Sequence, residues 1–577
     1  MSNSKTSYNT FGNNPPENGT AEDNASMISR RSGKTARRAG SSHERHNHAE
    51  VVPLQLHHDR DDEGSDDEGS DDDDDLQRVD AEAQAGVQQI EATAITWSRN
   101  ELLLSQLHPW VTSEFQMHSL TPLTNILSSL IGGLWKLTLA KVLDIFGRPQ
   151  GYAMSVFILT IGLMMMALCR NVETYCAAQV VYWVGYNGVI YSLSIFIADT
   201  SALRSRGLML AYGNSPYIIT AWIGGPISQA FLDGPGFRWG FATFAIATPI
   251  LTLPLYFLLM AVLKRAKARG LVPVQKSGRT VKESIRHYSR EFDLIGLALV
   301  TVGMAIFLLS FNLAPLQAQG WQSPLIISML VLGPALLTIF VFWEKSLPDQ
   351  RTFLPFSLLQ SRTILGACLL SAGLFISFYI WNSYFLSYLQ VVHDLDTTIS
   401  SYIYYIFNMG GCFTSLFVGL IIRRRGTFKN FALYGGCPST SLAGILLICE
   451  QLAAQSTVDH QHIAVIFAVQ GVFASVGGAI GSTVSTSIWQ VVFRRELERN
   501  LPPSALPQID HIYADMGKQK SFPMGSDVRI AINEAYASAM TRMLVPAIFV
   551  LFPCVGFVMM WKNLNVKNVR QVRGTVL

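Results

Sequence analysis

Charge is scarce in this chain. Of its 577 residues only 15% are Asp, Glu, Lys or Arg while 49% are hydrophobic, which excludes a soluble multi-domain protein of ordinary composition. Metal and redox patterns are also missing. The seven cysteines (Cys169, Cys176, Cys368, Cys412, Cys437, Cys449, Cys554) lie in or beside apolar runs without metal-ligand spacing and read as small core residues. No nucleophile–base set, phosphate-cradling glycine loop or zinc motif is present, so no catalytic residue and no protein-bound metal is assigned, and an enzyme is not expected. The polar N-terminus has no apolar core of a secretory signal, so insertion relies on the first true span. The net charge of +3 averages an acidic tail and basic loops and gives no ground for a nucleic-acid partner.

What the chain has in abundance is long apolar sequence. Twelve segments approach the roughly 20 residues needed to cross a bilayer: 120–142, 152–169, 174–197, 208–232, 241–263, 294–313, 325–343, 363–389, 399–422, 431–449, 463–489 and 543–561. They are apolar on all sides, as spanning helices are, and lack the alternation of barrel strands. The expected fold class is therefore an all-α polytopic membrane protein embedded in a lipid bilayer. Ahead of it, residues 1–119 read as a charged, disordered tail plus the remnant of a first span. His43, His46, His48, His57 and His58 stand beside the acidic run 59–75, where a metal site competes with the plainer reading of a solvated tail.

Lys and Arg accumulate on cytoplasmic connections. Arg148, Arg204, Arg206, the loop 264–293, Lys345, Arg351 and Arg423 to Arg425 all fall on alternate connections, which places that side in the cytosol. Residues 120–263 then form an N-terminal bundle, 294–343 two linker spans, 344–489 a C-terminal bundle, 490–542 a long extracytoplasmic loop, and 543–577 the last span with a basic tail. Parity complains at both ends, because twelve spans from this start leave both tails outside. One further span near Leu102–Leu107, a stub too short to cross, and another near Gly444, where two spans look fused, would cure it.

The loop at Asp144-Ile-Phe-Gly147-Arg148-Pro149 combines a turn-permitting glycine with a charge pair and resembles the signature cytoplasmic loop of the major facilitator superfamily. The strings Ile131-Gly-Gly133, Lys136-Leu-Thr-Leu-Ala-Lys141, Phe196-Ile-Ala-Asp199, Ile448-Cys-Glu450 and Gly477-Gly-Ala-Ile-Gly481 are similar to those of fungal siderophore–iron transporters, a fourteen-span branch of that superfamily. The resemblance covers nearly everything after residue 95 and is strongest to importers of fusarinine-type hydroxamates. It implies two helical bundles, about twelve spans present of an expected fourteen, and proton-coupled uptake of a ferric siderophore. Iron travels within that substrate, so no cofactor is implied. It implies a full first span between Leu104 and Ser105 and more chain near Gly444, and hence a spliced or incorrectly assembled gene product. The plasma membrane is the expected location, an internal vesicle or vacuole the alternative. A multidrug/proton antiporter of the related fourteen-span group, which Gly225-Pro226 resembles, and an inactive truncated isoform or membrane sensor are the competing functions.

Polar and aromatic groups at bilayer depth are candidates for a substrate path. Lys136 reads as a substrate contact or as a lysine snorkelling to a lipid phosphate. Phe378, Trp381, Asn382, Phe385 and Tyr388 share one helical face, which fits a cavity wall or plain helix packing. Tyr186 with Asn187 and Tyr217 with Trp222 offer comparable surfaces. Asp199 and Glu450 are candidates for proton coupling, with structural ion pairing as the alternative.

Overall fold

A computed structural model describes residues 69–114, 121–268, 283, 293–314, 317, 319–347, 356–435, 443–458 and 462–567; for some of these, 69–88 and Asp144 among them, it describes the backbone alone. The histidine-rich tail, most of the basic loop 264–293, Cys437 and the final basic residues Arg570 and Arg573 lie outside them. The main helices are α1 (Gly69–Glu114), α2 (Thr121–Phe146), α3 (Arg148–Leu168), α4 (Val172–Thr200), α5 (Leu203–Asn214), α6 (Pro216–Asp233) and α7 (Phe237–Ala268). They continue with α8 (Leu294–Leu313), α9 (Pro324–Ser346), α10 (Arg362–Val392), α11 (Thr397–Arg425), α12 (Lys429–Gly435), α13 (Ala443–Gln455), α14 (Ile463–Asn500), α15 (Ile509–Ala514), α16 (Met516–Ser521) and α17 (Asp527–Met559).

Ten of these helices are long and apolar enough to cross a membrane. The other two expected segments are divided. Ser215 and Pro216 split 208–232 into α5 and α6: Pro216 has no N–H to bond back to α5, and the chain passes the break through tighter turns, Ser215 N to the Tyr212 carbonyl and Ile218 N to the Ser215 carbonyl, each at 3.0 Å. Segment 431–449 becomes the short helices α12 and α13. Helix ends are set locally: Asn171 caps α4, accepting from Thr174 N at 2.9 Å with a reciprocal bond, and Asp396 caps α11, accepting from Ile399 N at 3.0 Å.

Both parity conflicts resolve in the packing. The stub Leu102–Leu107 is not isolated. It lies inside α1, with Leu102, Leu103, Leu104 and Leu107 buried. From 89 onward α1 runs beside α3 and α4, Thr93 meeting Tyr152 at the start of α3 and His108 meeting Tyr175 at the start of α4. Residues 89–111, expected within a tail, thus supply a helix packed along α3 and α4 ahead of α2, in the place a further span would take. The sequence hides it because Glu91, Arg99, Glu101 and His108 interrupt its apolar run. At the other end α12 and α13 do not cross. Lys429 donates to the Met559 and Trp561 carbonyls at the cytoplasmic end of α17, while Gln455, closing α13, accepts from Arg206 on the same side. The loop expected over 490–542 also narrows to about 501–526, because α14 and α17 extend as helices past their apolar stretches.

Small residues mark the tight crossings. Gly185 faces Leu159 on α3, Gly225 faces Ser401 on α11, and Gly477 and Gly481 face Ala372 and Ile376 on α10. Between the bundles, α2 packs on α14 and α5–α6 pack on α11.

Candidate functional site

At mid-depth, α1, α4 and α6 of the N-terminal bundle meet α10 and α11 of the C-terminal one. Leu102 packs with Ala221, Tyr405 and Met409, against which Tyr217 and Tyr404 also rest. One turn of the same helix presents Glu101, half-buried, whose carboxylate accepts from the Tyr186 hydroxyl. Tyr186 and Tyr217 hydroxyls stand 3.2 Å apart. Across the interface Asn382 donates to the Tyr404 hydroxyl at 2.6 Å, and Tyr379 and Tyr404 lie within electrostatic reach of Glu101.

The aromatic face of α10 is continuous. Phe378 meets Trp381 at 5.6 Å between centroids, Trp381 meets Phe385 at 5.3 Å, and Phe385 meets Tyr388 at 6.4 Å. Phe407 of α11 stacks on Phe378 at 5.4 Å. Spacings of three and four residues on one helix produce such a ladder, and its members are half-buried, so they form a wall rather than a sealed core. Toward the extracytoplasmic side a cavity of about 480 Å³ opens among Trp110, Glu114, Asp233, Phe237 and Asp515.

The cytoplasmic side is laced shut. Gly147 turns the chain at φ 102°, a value open to glycine, and delivers Arg148 to α3, where Nε reaches Asp199 Oδ2 at 3.4 Å. Arg206 donates to the Ser201 carbonyl at 3.1 Å and to Gln455 at 3.4 Å, and Arg204 donates to the Arg423 carbonyl at 2.9 Å. Asp144 sits in the last turns of α2, its side chain outside the described atoms.

Residues 93–358 match the Major Facilitator Superfamily. MFS siderochrome iron transporter 1 of Ajellomyces capsulatus is 46% identical over 547 residues, covering 87% of this chain and 93% of that protein. Siderophore iron transporter mirB of Emericella nidulans is 37% identical over 541 residues, covering 85% and 89%. MFS siderochrome iron transporter B of Aspergillus fumigatus is 38% identical over 538 residues, covering 86% and 87%. The chain belongs to the fungal siderochrome iron transporters of the major facilitator superfamily. It is a multi-pass membrane transporter and not an enzyme, as the resemblance of its signature strings implies.

In this siderochrome transporter the residues singled out from sequence divide into three groups. Tyr186, Tyr217, Asn382 and the ladder Phe378, Trp381, Phe385 and Tyr388 are brought to the inter-bundle cleft. Asn187 turns back on its own helix, donating to the Trp183 carbonyl at 2.8 Å, and Trp222 is 55% exposed against Tyr402 on the far side of α6. Five residues separate Trp222 from Tyr217, and five steps of a helix rotate about 140°. Lys136 is half-buried on α2 with its side chain over Gly471 of α14, so it stands between the bundles. Asp199 forms the ion pair with Arg148. Glu450 is buried in α13 beside Ser371 of α10 and has no ion-pair partner among the described residues. Glu101 escaped the sequence reading. Its only signal was a lone acid inside Leu-rich sequence, and its partner Tyr186 is 85 positions away.

Proposed function

We propose that this transporter imports intact ferric hydroxamate siderophores, of the fusarinine type, across the plasma membrane by alternating access of its two bundles, coupled to protons. The reading rests on the cleft of tyrosines, one amide and an aromatic ladder at mid-depth between bundles, in a chain whose relatives carry siderochrome names. A bulky, oxygen-rich complex with apolar arms suits such a wall, where aromatic faces take the arms and hydroxyls take the carbonyls. Iron arrives within the ligand; no group of three potential metal ligands occurs among the described residues. Helix α1 supplies the wall that a lost first span would have removed, which favours a working carrier over an inactive isoform.

Glu450 is the proposed coupling group, because it is a buried acid in α13 with no cation paired to it among the described residues. Asp199, held by Arg148, serves the cytoplasmic latch instead. The antiporter alternative loses support at Gln229, which accepts from Thr397 N at 3.2 Å and so ties α6 to α11 where exporters usually carry glycine.

The test is uptake of radiolabelled ferric triacetylfusarinine in yeast lacking its own carriers. Accumulation that an uncoupler abolishes supports the reading. Accumulation indifferent to the uncoupler removes proton coupling, and export of a dye without iron uptake removes the importer.

A further inference from the structure

We infer that Glu101 selects cargo bearing a protonated amine, reading a cationic arm of the ferric complex against a carboxylate set among aromatic rings. The inference rests on the siderophore reading and extends it from substrate class to the charge of the part of the substrate that α1 touches.

Three observations carry it. First, the Glu101 carboxylate is half-buried, hydrogen-bonded to Tyr186, and has no Lys, Arg or His paired with it among the described residues. A carboxylate at this depth without a cation is an incomplete electrostatic arrangement, one that a cationic ligand completes. Second, its surroundings are of the type that binds ammonium groups. Trp183 stands edge-on to Tyr186 at 4.9 Å, and Tyr217 and Tyr404 flank the same cleft. Aromatic faces carry negative potential, attract cations when water is displaced, and tolerate the methylene arm behind the charge. Third, the outer mouth repeats the sign. The cavity of about 480 Å³ is lined by Glu114, Asp233 and Asp515, with no basic side chain among the described residues of its wall. Arg238 is drawn to Glu114 at 3.5 Å from outside that wall. Glu101 and Glu114 lie on one helix, thirteen residues and so about 20 Å apart. A cationic arm thus meets negative potential at the mouth and again at the cleft, which raises its local concentration along the route.

A neutral complex gains nothing from this arrangement. The predicted preference is therefore between two forms of one ligand that differ in a single charge.

The experiment uses the iron(III) complex of desferrioxamine B, a linear trihydroxamate ending in a primary amine, and the same complex with that amine acetylated. Uptake of both is measured in carrier-deficient yeast expressing the full chain, Glu101→Gln or Glu101→Asp, with surface amounts and monodispersity checked for each. The expected result is that the wild type prefers the amine-bearing complex, that Glu101→Gln lowers its uptake about tenfold while leaving the acetylated complex within twofold, and that Glu101→Asp keeps the preference. Equal loss of both complexes in a folded Glu101→Gln protein overturns the inference, because the carboxylate would then serve transport in general. No change in either overturns it also. If the wild type accumulates neither complex but does accumulate ferric triacetylfusarinine, the amine selection is wrong and the importer stands; if it accumulates none of the three, both fall.

Discussion

The Arg529 guanidinium meets the Asp394 carboxylate at 3.2 Å while binding three backbone carbonyls, those of Gln519 and Val391 at 2.6 Å and Phe522 at 3.4 Å. One buried cation thereby pins the outer loop to the end of α10. Asp394 is 49% exposed, so the ion pair itself contributes under about 1 kcal/mol. The carbonyl bonds have a buried charged donor and contribute about 1.5–3 kcal/mol each. Arg529→Met is expected to lower stability by about 3 kcal/mol or more, and Asp394→Asn by less than about 1. Thermal unfolding of the detergent-purified protein checks the order, and equal losses would contradict it.

Lys520 lies beside this anchor and donates to the Leu395 carbonyl at 3.4 Å. Burial pushes its ammonium below the usual lysine range, with Asp394 partly offsetting the effect. The unfolded chain then holds the proton more tightly than the folded one. Stability from this group is full above the unfolded value of about 10.4 and is lost as pH falls through the lowered folded value. Melting temperatures between about pH 8 and 10.5 should rise more for the wild type than for Lys520→Met. Parallel curves would remove the argument.

Arg148 and Asp199 should act as a unit. Either Arg148→Met or Asp199→Asn is expected to reduce iron-complex uptake about tenfold with surface level kept, and the double variant to be no worse than either single one. Additive losses would mean that the two work apart.

A Cβ at position 133 would lie 2.1 Å from the Ser475 Cβ of α14, closer than atoms approach. Gly133→Ala is therefore expected to lower folded yield several-fold, and adding Ser475→Gly to restore much of it, because the obstruction is that side chain. Fluorescence-detected size exclusion of tagged protein reads the result. A double variant as poor as Gly133→Ala would place the obstruction elsewhere.

For Glu450→Gln the proposed coupling role leads to loss of concentrative uptake with exchange of labelled for unlabelled complex retained. Loss of both activities in a folded protein would assign Glu450 to packing.

Much of this architecture was legible in residues alone. Apolar length gave the long helices, and the arginines at 148, 204 and 423–425 gave their direction, because both properties are local. The α10 ladder was legible for the same reason, its spacing being a property of one helix. What escaped depends on distant partners. Helix α1 is too polar to register as a span, yet Asn100 donates to Thr248 at 3.0 Å and His108 meets Tyr175 at 2.8 Å, so two of its polar side chains find distant partners inside the bundle. Glu101 was invisible with it. Trp222 was grouped with Tyr217 by nearness in sequence, whereas the helical rotation between them sends the tryptophan outward. The return of α12 and α13 to one side follows from contacts with α17 and α5, which no hydropathy window contains.

Lys136 lies over Gly471 at the crossing of α2 and α14, its Cδ 2.7 Å from where a Cβ at 471 would be. The lysine stem and any side chain at 471 are thus alternative tenants of one volume. Across related carriers the two positions should vary together, a larger residue at the second accompanying a shorter one at the first.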